Sequence, residues 1–141
     1  MYFKPLLLPL LAQVALTFIV MISMYRGRVA EMKSKRIHPQ RIKTREKSKR
    51  FLTDSAPSSD NFSNLFELPV LFYTAILLTL ILMVQDSILV ILAWTFVLTR
   101  YLHSFIHVTY NKVMHRFFVF LLSTFVLLAY WVRLGWMIFQ A

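Results

Sequence analysis

Residues 64–84 read NLFELPVLFYTAILLTLILMV, and from Leu68 to Val84 the run carries no charge. A hydrocarbon core ~30 Å thick takes about 20 predominantly apolar residues as a helix, so the stretch predicts a transmembrane span over about 61–84. Glu67 stands at its mouth. An ionisable side chain in a span is costly against lipid and normally faces a bundle interior or a wet cavity. Asn64 lies three residues before it, on the same helical face. The pair therefore marks the face toward which other polar residues should turn.

Three further apolar runs flank this one. The chain is 58% apolar and 16% aromatic, with two glycines among 141 residues. The apolar residues form long runs in place of one-faced or alternating patterns, which predicts an all-α integral membrane four-helix bundle. The spans cover about 5–25, 61–84, 88–107 and 116–139, with a basic loop at about 26–60. They use up the chain, leaving a single domain over 1–141. The absence of cysteine excludes disulfides, thiolate metal sites and a cysteine nucleophile.

The formal charge of +10 is concentrated between Arg26 and Arg50, where eleven of 25 residues are Lys or Arg. Beside membrane spans such a block follows the positive-inside bias, with attraction to anionic lipid headgroups as an addition. It is not read as a nucleic-acid surface. The loop is expected in the cytosol and both termini on the opposite side. The first run is expected to be retained as a helix, since no small-residue cleavage site follows it. The middle of the loop fits a short basic helix on the membrane surface, and residues 53–61, TDSAPSSDN, fit a turn and a helix N-cap.

The short turn Gln85-Asp86-Ser87 makes spans 2 and 3 antiparallel neighbours. Span 3 stays apolar to Thr99, after which Arg100, His103 and His107 follow on one face. Arg116 opens span 4, against the preference of a helix start for anions, which points to an anionic partner. Arg133, near the far end of that span, is free to snorkel. Alternation of the spans brings Asn64, Glu67, Arg100, His103, His107 and Arg116 to one membrane face.

Several readings of these residues remain open. Asn64-x-x-Glu67 fits a capping box as well as a binding pair. Arg100 at the depth of Glu67 suits a buried structural ion pair. His103 and His107 have a spacing that could hold a metal, but no HExxH pattern or same-span carboxylate completes a set, so no metal is assigned.

Taken together, Asn64-x-x-Glu67 followed by Pro69, Arg100-x-x-His103 and Arg116 at the base of span 4 resemble the MAPEG family of membrane-associated proteins in eicosanoid and glutathione metabolism. The motif pattern is most similar to members like microsomal prostaglandin E synthase and microsomal glutathione transferase. The resemblance implies a homotrimer binding glutathione, as cosubstrate, between neighbouring protomers. It implies that Arg28, Asn64, Glu67, Arg100 and His103 hold or shape the peptide and that Arg116 stabilises its thiolate; His107 is expected to join His103 in binding, to orient or polarise. A lipophilic electrophile or hydroperoxide would arrive from the bilayer. The chain departs from the pattern at Asp60, where many members carry arginine, at Leu68 and at His107, two positions where tyrosine occurs. The rival expectation is a non-catalytic membrane protein that keeps the fold to bind lipid or a partner.

Overall fold

The computed structural model describes residues 4–140. The terminal residues 1–3 and 141, to which the expectation for the two ends also applies, lie outside the described residues. Four helical segments are long and apolar enough to cross a membrane.

Helix α1 (Lys4–Ser34) has 31 residues and at 1.5 Å per residue is ~46 Å long, well beyond a ~30 Å core. Leu6, Pro9, Gln13, Leu16 and Val20 are buried, at alternating three- and four-residue spacing, while Leu8, Leu11, Phe18, Ile19 and Ile22 are exposed. A narrow inward stripe with apolar residues on the rest of the surface is the pattern of a helix bathed in lipid. The helix does not stop near Tyr25. It continues through Arg26 and Arg28, leaving the apolar segment, because Glu31 ties this extension to the loop. Glu31 Oε1 accepts from Lys35 Nζ and from the Asp54 N–H (2.9 Å); its Oε2 accepts from the Ser55 N–H (2.8 Å) and Ser55 Oγ (2.7 Å). Burial alone would raise this carboxyl, but Lys35, Ser55 and Asp54 together hold it down to about 2.

The loop folds back on this hub as a short 3₁₀ turn (Pro39–Ile42) and helix α2 (Arg45–Phe51), whose start is capped by Thr44 Oγ1 accepting from the Lys47 N–H at 3.2 Å. The second membrane segment is not one helix. Helix α3 (Ala56–Asn64) ends before α4 (Leu68–Ile81) begins. Pro69 causes the interruption: it has no N–H for the Leu65 carbonyl, and its ring excludes that carbonyl from the helical position. Asn64 is thus the last residue of one helix and Glu67 precedes the next without a side-chain capping bond. No capping box forms.

Helix α5 (Ser87–Val108) is capped by Asp86, whose Oδ1 accepts from the N–H groups of Ile88 (2.6 Å) and Leu89 (3.2 Å). Asp86 Oδ2 accepts from Arg133 Nε (3.0 Å) and Nη2 (2.7 Å). Arg133, on helix α6 (Val113–Gln140), is therefore spent on the α4–α5 turn and does not snorkel. Burial works to raise the Asp86 carboxyl, but Arg133 and the two backbone donors hold it below the usual range.

The core lies at this turn end. Phe72, Ala75 and Ile76 of α4 meet Leu89, Ala93, Phe96 and Val97 of α5 and Leu127, Tyr130 and Leu134 of α6. The Phe72 and Phe96 rings stack with centroids 4.6 Å apart. One polar link crosses it, between Thr79 Oγ1 and the Tyr130 hydroxyl at 2.9 Å. The buried stripe of α5 then runs on toward the basic end, where its residues become Arg100, His103, Ser104 and His107.

Candidate functional site at the basic end of the bundle

The site is built from the ends of four helices. Arg100 is fully buried. Its Nη2 donates to the Asn64 carbonyl at 3.3 Å, and its guanidinium sits 5.8 Å from the Phe120 ring centroid. The Asn64 carbonyl, which also accepts from the Glu67 N–H at 3.4 Å, lies at the C-terminus of α3, where a cation suits the helix dipole. Arg100 Nε and Nη1 have no partner among the described residues.

Arg100 and Glu67 do not form the buried ion pair that their shared depth suggests. Glu67 lies exposed, and no bridge joins the two within 4.0 Å. The reason is the break: Glu67 sits in the link after α3, so its side chain follows the link and not the inward face of a continuous helix.

Asn64, Glu67, His103 and Arg116 nonetheless line one cleft of about 240 Å³, closed on its apolar side by Val113, Phe117 and Phe120. His103 is buried and its ring lies 6.1 Å from that of Phe120. Arg116 is half-buried in the first turns of α6. Its Nη1 donates to Asn111 Oδ1 (2.8 Å) and to His107 Nε2 (3.0 Å). Both acceptors are neutral oxygen or nitrogen groups, and among the described residues no carboxylate lies within salt-bridge distance of Arg116. The guanidinium is fixed in place with its charge uncompensated at the cleft wall. His107 is itself buried and its ring lies 5.7 Å from that of His103.

Arg28 is not part of this cleft. Its Nη2 donates to Ser48 Oγ (3.0 Å) and Ser59 Oγ (3.3 Å), between α1, α2 and α3. Asp60 pairs with Lys49 at 3.8 Å, both exposed. Leu68 packs against the apolar core.

Three residues that the sequence reading did not single out support the site. Asn61 is fully buried and its Oδ1 accepts from Ser104 Oγ at 3.1 Å, fastening α3 to α5. Ser104 lies four residues after Arg100, on the stripe already identified, and could have been found by that spacing. Asn111 has a φ of 46°, in the left-handed region that asparagine tolerates. Its N–H donates to the Ile106 carbonyl at 2.9 Å. One residue thus closes the α5–α6 turn and presents an amide oxygen to Arg116.

No curated protein and no solved structure matches the chain. The family model of the MAPEG family matches residues 6–136, which reaches across all four apolar helical segments, short of the last four residues of α6, and includes every residue of the cleft. This multi-pass integral membrane protein belongs to the MAPEG family.

Proposed function

We propose that the protein is a membrane-embedded, glutathione-dependent transferase or peroxidase that acts on a lipophilic electrophile or hydroperoxide. The observation that carries this reading is Arg116, held by His107 and Asn111 at the cleft wall with no anionic partner among the described residues. Such a cation attracts an anion and lowers the pKa of a thiol brought beside it, so that the thiolate nucleophile is better populated without any protein cysteine. Glutathione at neutral pH carries two carboxylates and one ammonium. Arg116 suits the thiolate; exposed Glu67 suits the ammonium, with Asn64 and His103 offering polar contacts on the same wall.

In transfer, the thiolate sulfur attacks an electrophilic carbon, a C–S bond forms and the leaving group departs with its electron pair. With a hydroperoxide, the sulfur attacks the distal oxygen and the O–O bond breaks to release the alcohol. A second glutathione then displaces water from the sulfenic acid to give the disulfide. Phe117 and Phe120 supply the apolar side from which a membrane-dissolved substrate would approach.

The cleft of about 240 Å³ is smaller than ordinary ligand pockets, which begin near ~300 Å³. We assign its completion to a neighbouring protomer in a homotrimer, where Arg28, turned away from its own chain's cleft, would serve a neighbour's. The basic loop is assigned to the cytosolic side, from its charge. The rival reading, a non-catalytic lipid- or partner-binding protein, is favoured by Asp60, which stands where many members carry a cation. Titration of purified trimer with glutathione, followed by calorimetry and thiolate ultraviolet absorbance, decides between them. Binding with a thiolate signal at neutral pH supports the enzyme; no heat at millimolar glutathione supports the rival.

A further inference from the structure

We infer that His107 is a positioning residue for Arg116, acting as a neutral acceptor that aims the guanidinium at the cleft. The inference rests on the glutathione reading for its effect on turnover, but the contact itself does not. A guanidinium has only donors, so the 3.0 Å approach of Arg116 Nη1 to His107 Nε2 requires the lone pair of Nε2. His107 therefore stands in the neutral form with its ring hydrogen on Nδ1. The other acceptor of Nη1, Asn111 Oδ1, lies in the turn between the two helices, so His107 is the only one of the two carried on a helix. Two acceptors on one Nη1 fix the plane of the guanidinium and leave its remaining donors for a ligand.

His107 has charged neighbours on three helices. The ionisable groups that bear on it are Arg116 of α6, Arg100 and His103 of its own helix, and Asp60 of α3. Two of these are cations, and the one carboxylate is exposed and paired with Lys49. A phenol at this position could also accept, but it would do so through a hydroxyl that can turn and donate elsewhere. The imidazole lone pair is fixed in the ring plane.

Two variants test the inference. His107→Phe keeps a ring of similar size and removes the acceptor; His107→Gln keeps an acceptor on a shorter reach. With glutathione bound, His107→Phe should raise the apparent thiol pKa read by thiolate absorbance and lower turnover at neutral pH about 10-fold, the scale of a slight misplacement of a catalytic group. Glutathione affinity should change less than turnover, and His107→Gln should recover part of both losses. A merely structural role would not move the thiolate spectrum, so a His107→Phe protein that binds glutathione with an unaltered thiol pKa overturns the inference. Nitrogen-15 spectra of ligand-free, histidine-labelled protein in detergent give the arm that needs no glutathione. An unprotonated His107 Nε2 whose resonance shifts in Arg116→Ala supports the contact; a protonated Nε2 overturns it. A supported contact in a protein that gives no thiolate signal retains the positioning and sinks the glutathione reading alone.

Discussion

The two halves of the α5 stripe bury the same helical face with opposite chemistry. At the turn end, Leu89, Ala93, Phe96 and Val97 close against α4 and α6 within one chain, and Thr79 and Tyr130 satisfy one another there. At the basic end, Arg100, His103 and His107 are as deeply buried, yet Arg100 Nε and Nη1 and the Nδ1 atoms of both histidines have no partner among the described residues. Buried polar groups without partners cost stability. The first half is where the protein secures its fold. The second is where it keeps hydrogen-bonding capacity in reserve, as expected of a site.

The comparison is broken most directly by Phe96→Ala. Loss of a fully buried ring stacked on Phe72 should destabilise the bundle by ~3–5 kcal/mol, read as thermal unfolding in detergent. The folded fraction should keep its thiolate signal with glutathione. Loss of that signal at unchanged stability would erase the distinction between the halves. Arg116→Ala should do the reverse: turnover at neutral pH falls by ~10²-fold or more, the scale of one preorganised charge contact, with unfolding little altered. Arg116→Lys should rescue only partly, because an ammonium cannot reproduce the planar fork. Steady-state kinetics check both, and unchanged turnover in Arg116→Ala would move the activating role elsewhere.

Smaller effects sharpen the picture. Since Glu67 is exposed and bridges no cation among the described residues, Glu67→Ala should leave stability within ~0.5 kcal/mol, as at ordinary surface positions. Glutathione binding should weaken about 10-fold, as for loss of one charge-assisted bond, by calorimetry. A large drop in melting temperature would restore the buried pair with Arg100. The smallest effect is local. Glu31 is held down from its ordinary 4.5 to about 2, so its contribution is complete above the ordinary value and is lost as pH falls through the folded one. Between those values the Asp54 and Ser55 amides should lose hydrogen-exchange protection, with the turn-end core still protected. Protection that persists below pH 2 would show that the loop does not depend on this carboxylate.

The parts of the molecule legible in the sequence are those fixed by local chemistry. Uncharged runs announce the four membrane segments, and helical spacing alone places Arg100, His103 and His107 on one face. What could not be read depends on which chain segments meet. Pro69 is visible as a source of a kink, but at the break at residues 65–67 the Asn64 carbonyl also takes a hydrogen bond from Arg100, which is 36 residues away in sequence. The assumption of an unbroken span made Glu67 look buried. Glu31 reads as one charge in a basic run until Asp54 and Ser55 fold back on it, and Arg133 reads as a free cation until the turn brings Asp86 to it.

The interruption between α3 and α4 also has a geometric meaning. A continuous α-helix keeps one hydrogen-bond pattern along its whole length, whereas residues 65–67 join the two helices through tighter bonds, from the N–H groups of Leu65, Phe66 and Glu67 to the carbonyls of Phe62, Ser63 and Asn64. Helix α3 is fastened through Asn61 and Ser104 to α5, so the change of pattern lets its axis depart from that of α4 in the apolar half. Asn64 and Glu67 stand at the two ends of this turn and both line the cleft, so its geometry sets the spacing between two of the cleft's walls.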